Sequence, residues 1–470
     1  MNSVVLVNPP YSFWSPEKNW LRPFIGNLPS LGLLSLAAVL RRAGYRVRIV
    51  ESASLGLSFD RTVEEILREP PRYLGLSCTT ASVENAAAIA RAVKEKSPRT
   101  LVLAGGPHVT ALPGETFERF PAFDFGILGE GEAALPDLLE ALEGEQDPGR
   151  VESAIYRRGD EIRANPRRRL IENLDTLPFP AFDLLPHFPR AYRAPFLNYR
   201  KGPAAPLISS RGCPQTCTFC DRSVFGNRYR YFSEEYLGEL ISSLRRAYGV
   251  RHLVFTDDQF AAFRPRLVRL CEKLARGGLD VQWNCDARVD SVDPELLRLM
   301  KRAGCWMISY GIESGSQQIL DRIQKGISLE EAERAIRWTK EAGIRAKGLF
   351  MIGYPQETAE TLEQTLDFIL RSPLDEINLS FLTPYPGTEL YRQLKGASEF
   401  SEEWGRMNAL NSLLRPAALS REDLERAYGK ILRRFYLRSG PTQSYLGILL
   451  RSPQNLSRLA EGLGRRLVRR

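Results

Sequence analysis

Ile208-Ser209-Ser210-Arg211-Gly212-Cys213-Pro214-Gln215-Thr216-Cys217-Thr218-Phe219-Cys220-Asp221 is the stretch whose reading decides the fold. Its cysteines are spaced Cys-x3-Cys-x2-Cys, and no fourth follows nearby. Iron-sulfur clusters are normally held by four thiolates. Three thiolates on a four-iron cube therefore leave one iron open to a small molecule. Zinc in a structural site takes four closed ligands, usually from two cysteine pairs, and the second pair is missing. Cys78, Cys271, Cys285 and Cys305 lie singly in apolar or mixed stretches, which argues against a disulfide framework and points to a reducing cytosol.

Outward from this loop, short apolar strands alternate with amphipathic helices from about 205 to 394. Strands are expected at 207–209, 252–256, 281–287, 306–310, 346–352 and 376–382, with the cysteine loop after the first. Later strand ends carry Thr256-Asp257-Asp258-Gln259-Phe260, Cys285-Asp286-Ala287-Arg288-Val289-Asp290, Gly311-Ile312-Glu313-Ser314-Gly315-Ser316 and Gly348-Leu349-Phe350-Met351-Ile352-Gly353-Tyr354-Pro355-Gln356-Glu357. Singly, glycine and acid at a strand end are ordinary turn chemistry. In this order behind the cysteine loop, they resemble the radical S-adenosylmethionine (SAM) superfamily.

That resemblance implies a partial (β/α)6 barrel with its active site at the carboxyl ends of the strands. It implies a [4Fe-4S] cluster on Cys213, Cys217 and Cys220, with Phe219 alongside and SAM chelated to the open iron. By family position, Asp257 and Asp258 receive the SAM ammonium group and Arg288 clamps its carboxylate. Glu313 and Ser314 meet the ribose and methionine portions, Glu313 either binding SAM or holding Arg288, and Gly353 lies along the adenine.

The first 145 residues repeat strand and helix, with strands expected at 4–7, 47–50, 73–78, 100–104 and 123–128, which predicts a doubly wound parallel sheet. Ligands bind at the carboxyl ends of such strands. The turns there read Asn8-Pro9-Pro10, Ser77-Cys78-Thr79-Thr80, Gly105-Gly106-Pro107-His108 and Gly129-Glu130-Gly131-Glu132. They resemble the cobalamin-binding domain that precedes the barrel in one radical SAM subgroup, that of the anaerobic Mg-protoporphyrin ester cyclases and many carbon and phosphorus methylases. The resemblance implies cobalamin contacts from Asn8, Pro9, Ser77, Thr79, Gly105, Gly106, Gly129 and Glu130. Where many cobalamin proteins carry Asp-x-His-x-x-Gly, this chain reads Glu51-Ser52-Ala53-Ser54-Leu55-Gly56 and lacks the histidine. A cobalt without a protein histidine is implied; a doubly wound domain holding some other ligand is the alternative. His108 reads as a turn residue.

The expected division is 1–145 for the cobalamin-like domain, 146–204 for a hairpin and a proline-rich linker, 205–395 for the barrel and 396–470 for a helical C-terminal segment. The hairpin turns at Gly159-Asp160, the linker runs from 177 to 186, and Ser420 is placed to cap a helix. With 43% hydrophobic and 26% charged residues the chain is of globular composition. The N-terminus has no signal-peptide pattern, and no stretch reaches the roughly 20 apolar residues that span a bilayer. A cytoplasmic protein is expected. The net charge of +9 is spread among acids, so nucleic acid is not an expected partner. The exception is 456–470, where leucines at helical spacing accompany Arg458, Arg465, Arg466, Arg469 and Arg470. This reads as a helix packed on the protein, as a peripheral contact with anionic lipid, or as an RNA contact.

The resemblance implies a small-molecule or lipid-like substrate and an electron donor such as flavodoxin or ferredoxin. It implies cleavage of SAM to a 5′-deoxyadenosyl radical, and methylation of an unactivated carbon is the favoured reaction. Ring formation or oxidation is the alternative with the same cofactors. A cobalamin sensor or carrier with a structural cluster is disfavoured, because three ligands make a poor structural site.

Overall fold

The computed structural model describes residues 2–11, 26–195, 198–199, 201–278, 280–438, 440 and 448. The basic stretch 456–470 lies outside them.

Val4, Val5, Leu6 and Val7 are all at most 2% exposed, as a strand covered on both faces must be. They form the centre of β1 (Ser3–Asn8), which pairs in parallel with β2 (Arg46–Glu51) and β3 (Tyr73–Ser77). β4 (Leu101–Gly105) and β5 (Phe125–Ile127) follow in parallel, giving the order β2-β1-β3-β4-β5. Helices Leu31–Arg42, Val83–Lys96 and Gly131–Glu143 cover this sheet with their Leu, Ala and Val faces. The expected hairpin forms as β6 (Ala154–Arg158) and β7 (Glu161–Ala164). It does not stand between the domains: β6 pairs antiparallel with β5 and extends the first sheet to seven strands.

The second sheet opens with β8 (Ala204–Leu207). The sequence places this strand at 207–209, and the structure starts it earlier, at Ala204. Pro206 is tolerated since β8 is an edge, paired only to one neighbour. A short antiparallel ribbon of β9 (Ser210–Arg211) and β10 (Arg230–Tyr231) brackets the cysteine loop. β11 (His252–Phe255), β12 (Gln282–Ala287), β13 (Cys305–Glu313), β14 (Arg345–Ile352) and β15 (Glu376–Phe381) then line up in chain order, all parallel. β8 and β15 are the two free edges, so six strands form a partial barrel.

The proline-rich run is wedged between helices Leu31–Arg42 and Glu234–Tyr248. Ala181 N donates to Leu34 O at 3.1 Å, and Tyr236 Oη donates to Pro178 O at 3.2 Å. The capping box at Ser420 and Asp423 starts the helix Arg421–Tyr436, whose Leu424, Ile431 and Phe435 are buried. Trp404 reaches back to the first domain, its ring 4.4 Å from that of His108. Among the described residues no helix is long and apolar enough to cross a membrane.

Candidate functional site: the cysteine loop and the cavity beneath it

The loop 212–229 leaves β9 at Gly212, whose φ is +82°. A Cβ there would lie 2.1 Å from the Arg228 carbonyl oxygen, so only glycine lets the two ends of the loop pass each other. Asp258 Oδ2 accepts from Gly212 N at 3.0 Å. Further along, Thr218 N donates to Ile323 O and Leu390 N to Thr218 O, each at 3.1 Å. All seven cysteines are free thiols. Cys213 Sγ lies 3.5 Å from Gln259 Oε1. The neighbouring Cys220 thiol, with Lys325 and Arg288, lowers the Cys217 pKa against the effect of burial. Among the described residues no three His, Cys, Asp or Glu side chains are already gathered on one metal position. The donor set nonetheless fits a cluster: three unpaired thiols on one anchored loop, beside cations that favour thiolate.

The residues expected around SAM divide into two groups. Arg288, Glu313 and Phe219 gather near the thiols. Arg288 donates to Asp290 at 2.8 Å and to the carbonyls of Lys325 and Gly326 at 2.9 and 3.3 Å. Glu313 does not hold Arg288. Its Oε1 accepts from Lys325 Nζ at 2.7 Å, and the ammonium stands 5.8 Å from the Phe219 ring centroid. Burial works against the charge on Lys325, yet Glu313 outweighs it and raises the lysine's pKa. Glu313 also has φ +73°, a left-handed conformation that a non-glycine residue adopts at a cost.

The second group serves the frame. Asp257 Oδ1 accepts from Ser209 N, Ser209 Oγ and Ser210 Oγ at 3.0, 2.7 and 2.5 Å, pinning the end of β8. Burial raises the pKa of this carboxyl. Ser314 Oγ lies 3.2 Å from Thr365 Oγ1 and accepts from Ser316 N at 3.1 Å. Gly353, at φ +95°, donates its N–H to Glu357 Oε2 at 2.9 Å. Lys325 carries no sequence signal that sets it apart from any other lysine, and Gln259 stands in the quoted strand-end motif without a role assigned to it. Only the packing of the 317–326 segment and of the β11 turn reveals them.

Beneath the loop lies a cavity of about 270 Å³. One wall is the strand ends and first helices of the N-terminal domain, with Leu6, Gly75, Ser77, Gly105, Gly106 and Gly129. The other is the barrel and its loop, with Leu207, Ile208, Arg211, Phe225, Phe232 and Tyr236, and Leu177, Pro178 and Pro180 close one side. Gly106, at φ +106°, would bring a Cβ within 2.9 Å of Cys78 O, so the turn there requires glycine. Bare strand ends and aliphatic or aromatic walls suit the flat aromatic base of a cobalamin tail.

Of the expected cobalamin residues, Ser77, Gly105, Gly106, Gly129 and Glu130 line this cavity, and Asn8, Pro9 and Thr79 do not. Asn8 Nδ2 donates to Glu51 at 2.8 Å, Pro9 is buried, and the Thr79 hydroxyl lies 2.9 Å from Ser82 Oγ. Both oxygens of Glu130 are occupied. Oε1 accepts from Arg211 at 2.7 Å and Arg230 at 2.9 Å, while Oε2 accepts from Arg230 at 2.8 Å and Ile171 N at 2.9 Å. Glu132 completes the group: it takes a short bond from Arg211 and one from Ser35 Oγ at 2.9 Å. The carboxylate of Glu130 therefore fastens the two domains together instead of facing the cavity as a free ligand group.

Comparison with known proteins follows this division. Residues 207–369 match the Radical SAM superfamily, and residues 22–139 match the B12 binding domain. An uncharacterized methyltransferase of Pyrococcus horikoshii is 31% identical over 90% of this chain and 91% of its own length. The chain belongs to the cobalamin-binding radical SAM family. Its cofactors are accordingly a [4Fe-4S] cluster, SAM and cobalamin. The anaerobic magnesium-protoporphyrin IX monomethyl ester cyclase of Cereibacter sphaeroides is 28% identical over 93% of this chain and 70% of its own length. The fold is that of the cobalamin-dependent SAM radical enzyme OxsB, with a TM-score of 0.76 at 19% identity over 98% of this chain and 72% of that one. In this radical SAM protein His108 lies 3.2 Å from Thr80 Oγ1 and packs on Trp404, and burial, with Arg119, lowers its pKa to about 3. It is a packed, neutral ring, as its turn position suggests.

Proposed function

We propose that this protein is a cobalamin-dependent radical SAM methyltransferase acting on an unactivated carbon of a small molecule. The observation that carries the reading is the cavity, which is walled mainly by the cobalamin domain and closed by the barrel and the ends of the cysteine loop. The full-length similarity to a methyltransferase supports it. Cys213, Cys217 and Cys220 are the residues to hold the cluster. Arg288 and Lys325 supply positive charge beside it, where a carboxylate of SAM would be received. Ser77, Gly105, Gly106 and Gly129 would bound the cobalamin tail.

When bound, the cluster supplies the electron that breaks the SAM sulfonium, and the cobalamin supplies a methyl carrier. The chain's own part is to hold cluster and cobalamin on facing domains; the cavity's apolar walls suit the exclusion of water from around the cobalamin tail. A one-electron donor such as flavodoxin or ferredoxin would serve as reductant, and the free cysteines fit a reducing compartment.

The test is anaerobic reconstitution with labelled SAM and candidate substrates. A methylase that spends one SAM as donor and one as radical source yields S-adenosylhomocysteine and 5′-deoxyadenosine in equal amounts. Deoxyadenosine alone, with no methyl mass gain on the product, removes methyl transfer. It leaves the cyclase reading, which the similarity to the Cereibacter enzyme supports more weakly.

A further inference from the structure

The cysteine loop begins at Arg211 and ends at Arg230, and these two residues face each other across the β9–β10 ribbon. Both guanidinium groups converge on Glu130, a residue of the other domain that stands in the turn after β5 and lines the cavity. The side chains of Arg211, Arg230, Glu130 and Glu132 are only 4–9% exposed. The four charges balance, two against two. Phe225 of the loop lies under both cations, at 5.9 and 5.6 Å from ring centroid to Cζ.

Arg211 stands two positions before the first cluster cysteine. A carboxylate in the cobalamin domain thus grips both ends of the loop that carries the thiols. Three charge-assisted and nearly dry bonds, one from Arg211 and two from Arg230, hold that carboxylate. A fastening needed only for domain adhesion would sit as well anywhere on the interface. This one sits where the cavity meets the loop.

We infer that Glu130 is a positioning residue that sets the cluster against the bound cobalamin. The inference rests on the proposed function, since it needs both cofactors. Glu130 touches neither substrate nor reacting atoms. It acts through Arg211 and Arg230, and Glu132 steadies Arg211 from the far side.

The experiment measures the magnetic dipolar coupling between cobalt(II) and the reduced cluster in the reconstituted full chain, by pulsed electron paramagnetic resonance. A single narrow cobalt–cluster distance is expected for the native protein, and Glu130→Gln is expected to broaden or shift it. In the same variant methylated product is expected to fall about tenfold or more, with deoxyadenosine formation in the absence of substrate held within about twofold. Glu132→Gln, which leaves both grips on Glu130 in place, is expected to give a smaller change in both readouts. If Glu130→Gln does not accumulate as folded protein, Arg230→Gln, which removes the cation that bridges both Glu130 oxygens, is read in the same way. A broad native distribution overturns the inference. So does a Glu130 or Arg230 variant whose distance stays narrow and unchanged, whatever its activity. Absence of a cobalt or a cluster signal in the native protein instead removes the proposed function, and the inference falls with it.

Discussion

Lys325 carries its charge in a nearly enclosed place, its side chain 8% exposed beside a Glu313 that is 11% exposed. Removing one member of such a pair strands the other, at a cost of about 3–5 kcal/mol. Lys325→Met is expected to lower stability by that order in urea denaturation, and adding Glu313→Gln to recover much of it. Replacing Cys213, Cys217 or Cys220 by Ala is expected to abolish the visible absorption of the cluster and SAM cleavage, whereas Cys271→Ala and Cys305→Ala spare both. Normal iron content in Cys217→Ala would end that assignment. His108 gives a pH signature. Its folded pKa, about 3, lies below the ordinary 6.5, so an unfolded chain takes up a proton that the folded one refuses. Its contribution is full above pH 6.5 and is lost as pH falls toward 3, at roughly 1.4 kcal/mol per pH unit. Urea midpoints between pH 7 and pH 5 are expected to fall less steeply in His108→Gln. The cysteines were legible in sequence because their meaning is local spacing. Lys325 was not, because its meaning arises only where separate turns meet.

Among the elements, the cysteine loop depends on a residue that brings no ligand. Gly212→Ala forces a Cβ against the Arg228 carbonyl from a left-handed backbone, so the variant is expected to reconstitute with little iron although all three thiols remain. Iron and sulfide analysis after anaerobic gel filtration checks it. Strands of both sheets could be read from their apolar runs to within a few residues, since burial on both faces leaves a continuous stretch of Val, Leu and Ile. β8 begins a few residues earlier than read and contains Pro206, since an edge strand forgives a proline where a central one does not. The hairpin was read correctly as a hairpin. Its destination on β5 was not, because alternation says which residues pair within a ribbon and nothing about which edge it joins.

Across the whole molecule, the site is made of contacts far apart in the chain. The Arg211 and Arg230 bonds to Glu130 span 81 and 100 positions, so no window of sequence contains them. Glu130 was expected to face a cofactor for that reason: its turn was legible and its partners were not. The shared cavity also limits what half the chain can do. A fragment ending near residue 165 lacks Leu207, Phe225, Phe232 and Tyr236, so it is expected to lose cobalamin on gel filtration under conditions where the full chain keeps it. Retention by the fragment would show that the barrel wall is dispensable. β6 and β7 give this a dimension in time. They seal the β5 edge with a strand bearing Glu161 and Arg163, and exposed sheet edges are what recruit stray chains. The first sheet is thus complete and guarded by residue 164, forty positions before β8 begins at Ala204. On a ribosome the N-terminal half can fold as it emerges, its edge closed, and wait for the second wall. Cofactor uptake then comes after synthesis of the barrel, so a bound cobalamin certifies a finished chain.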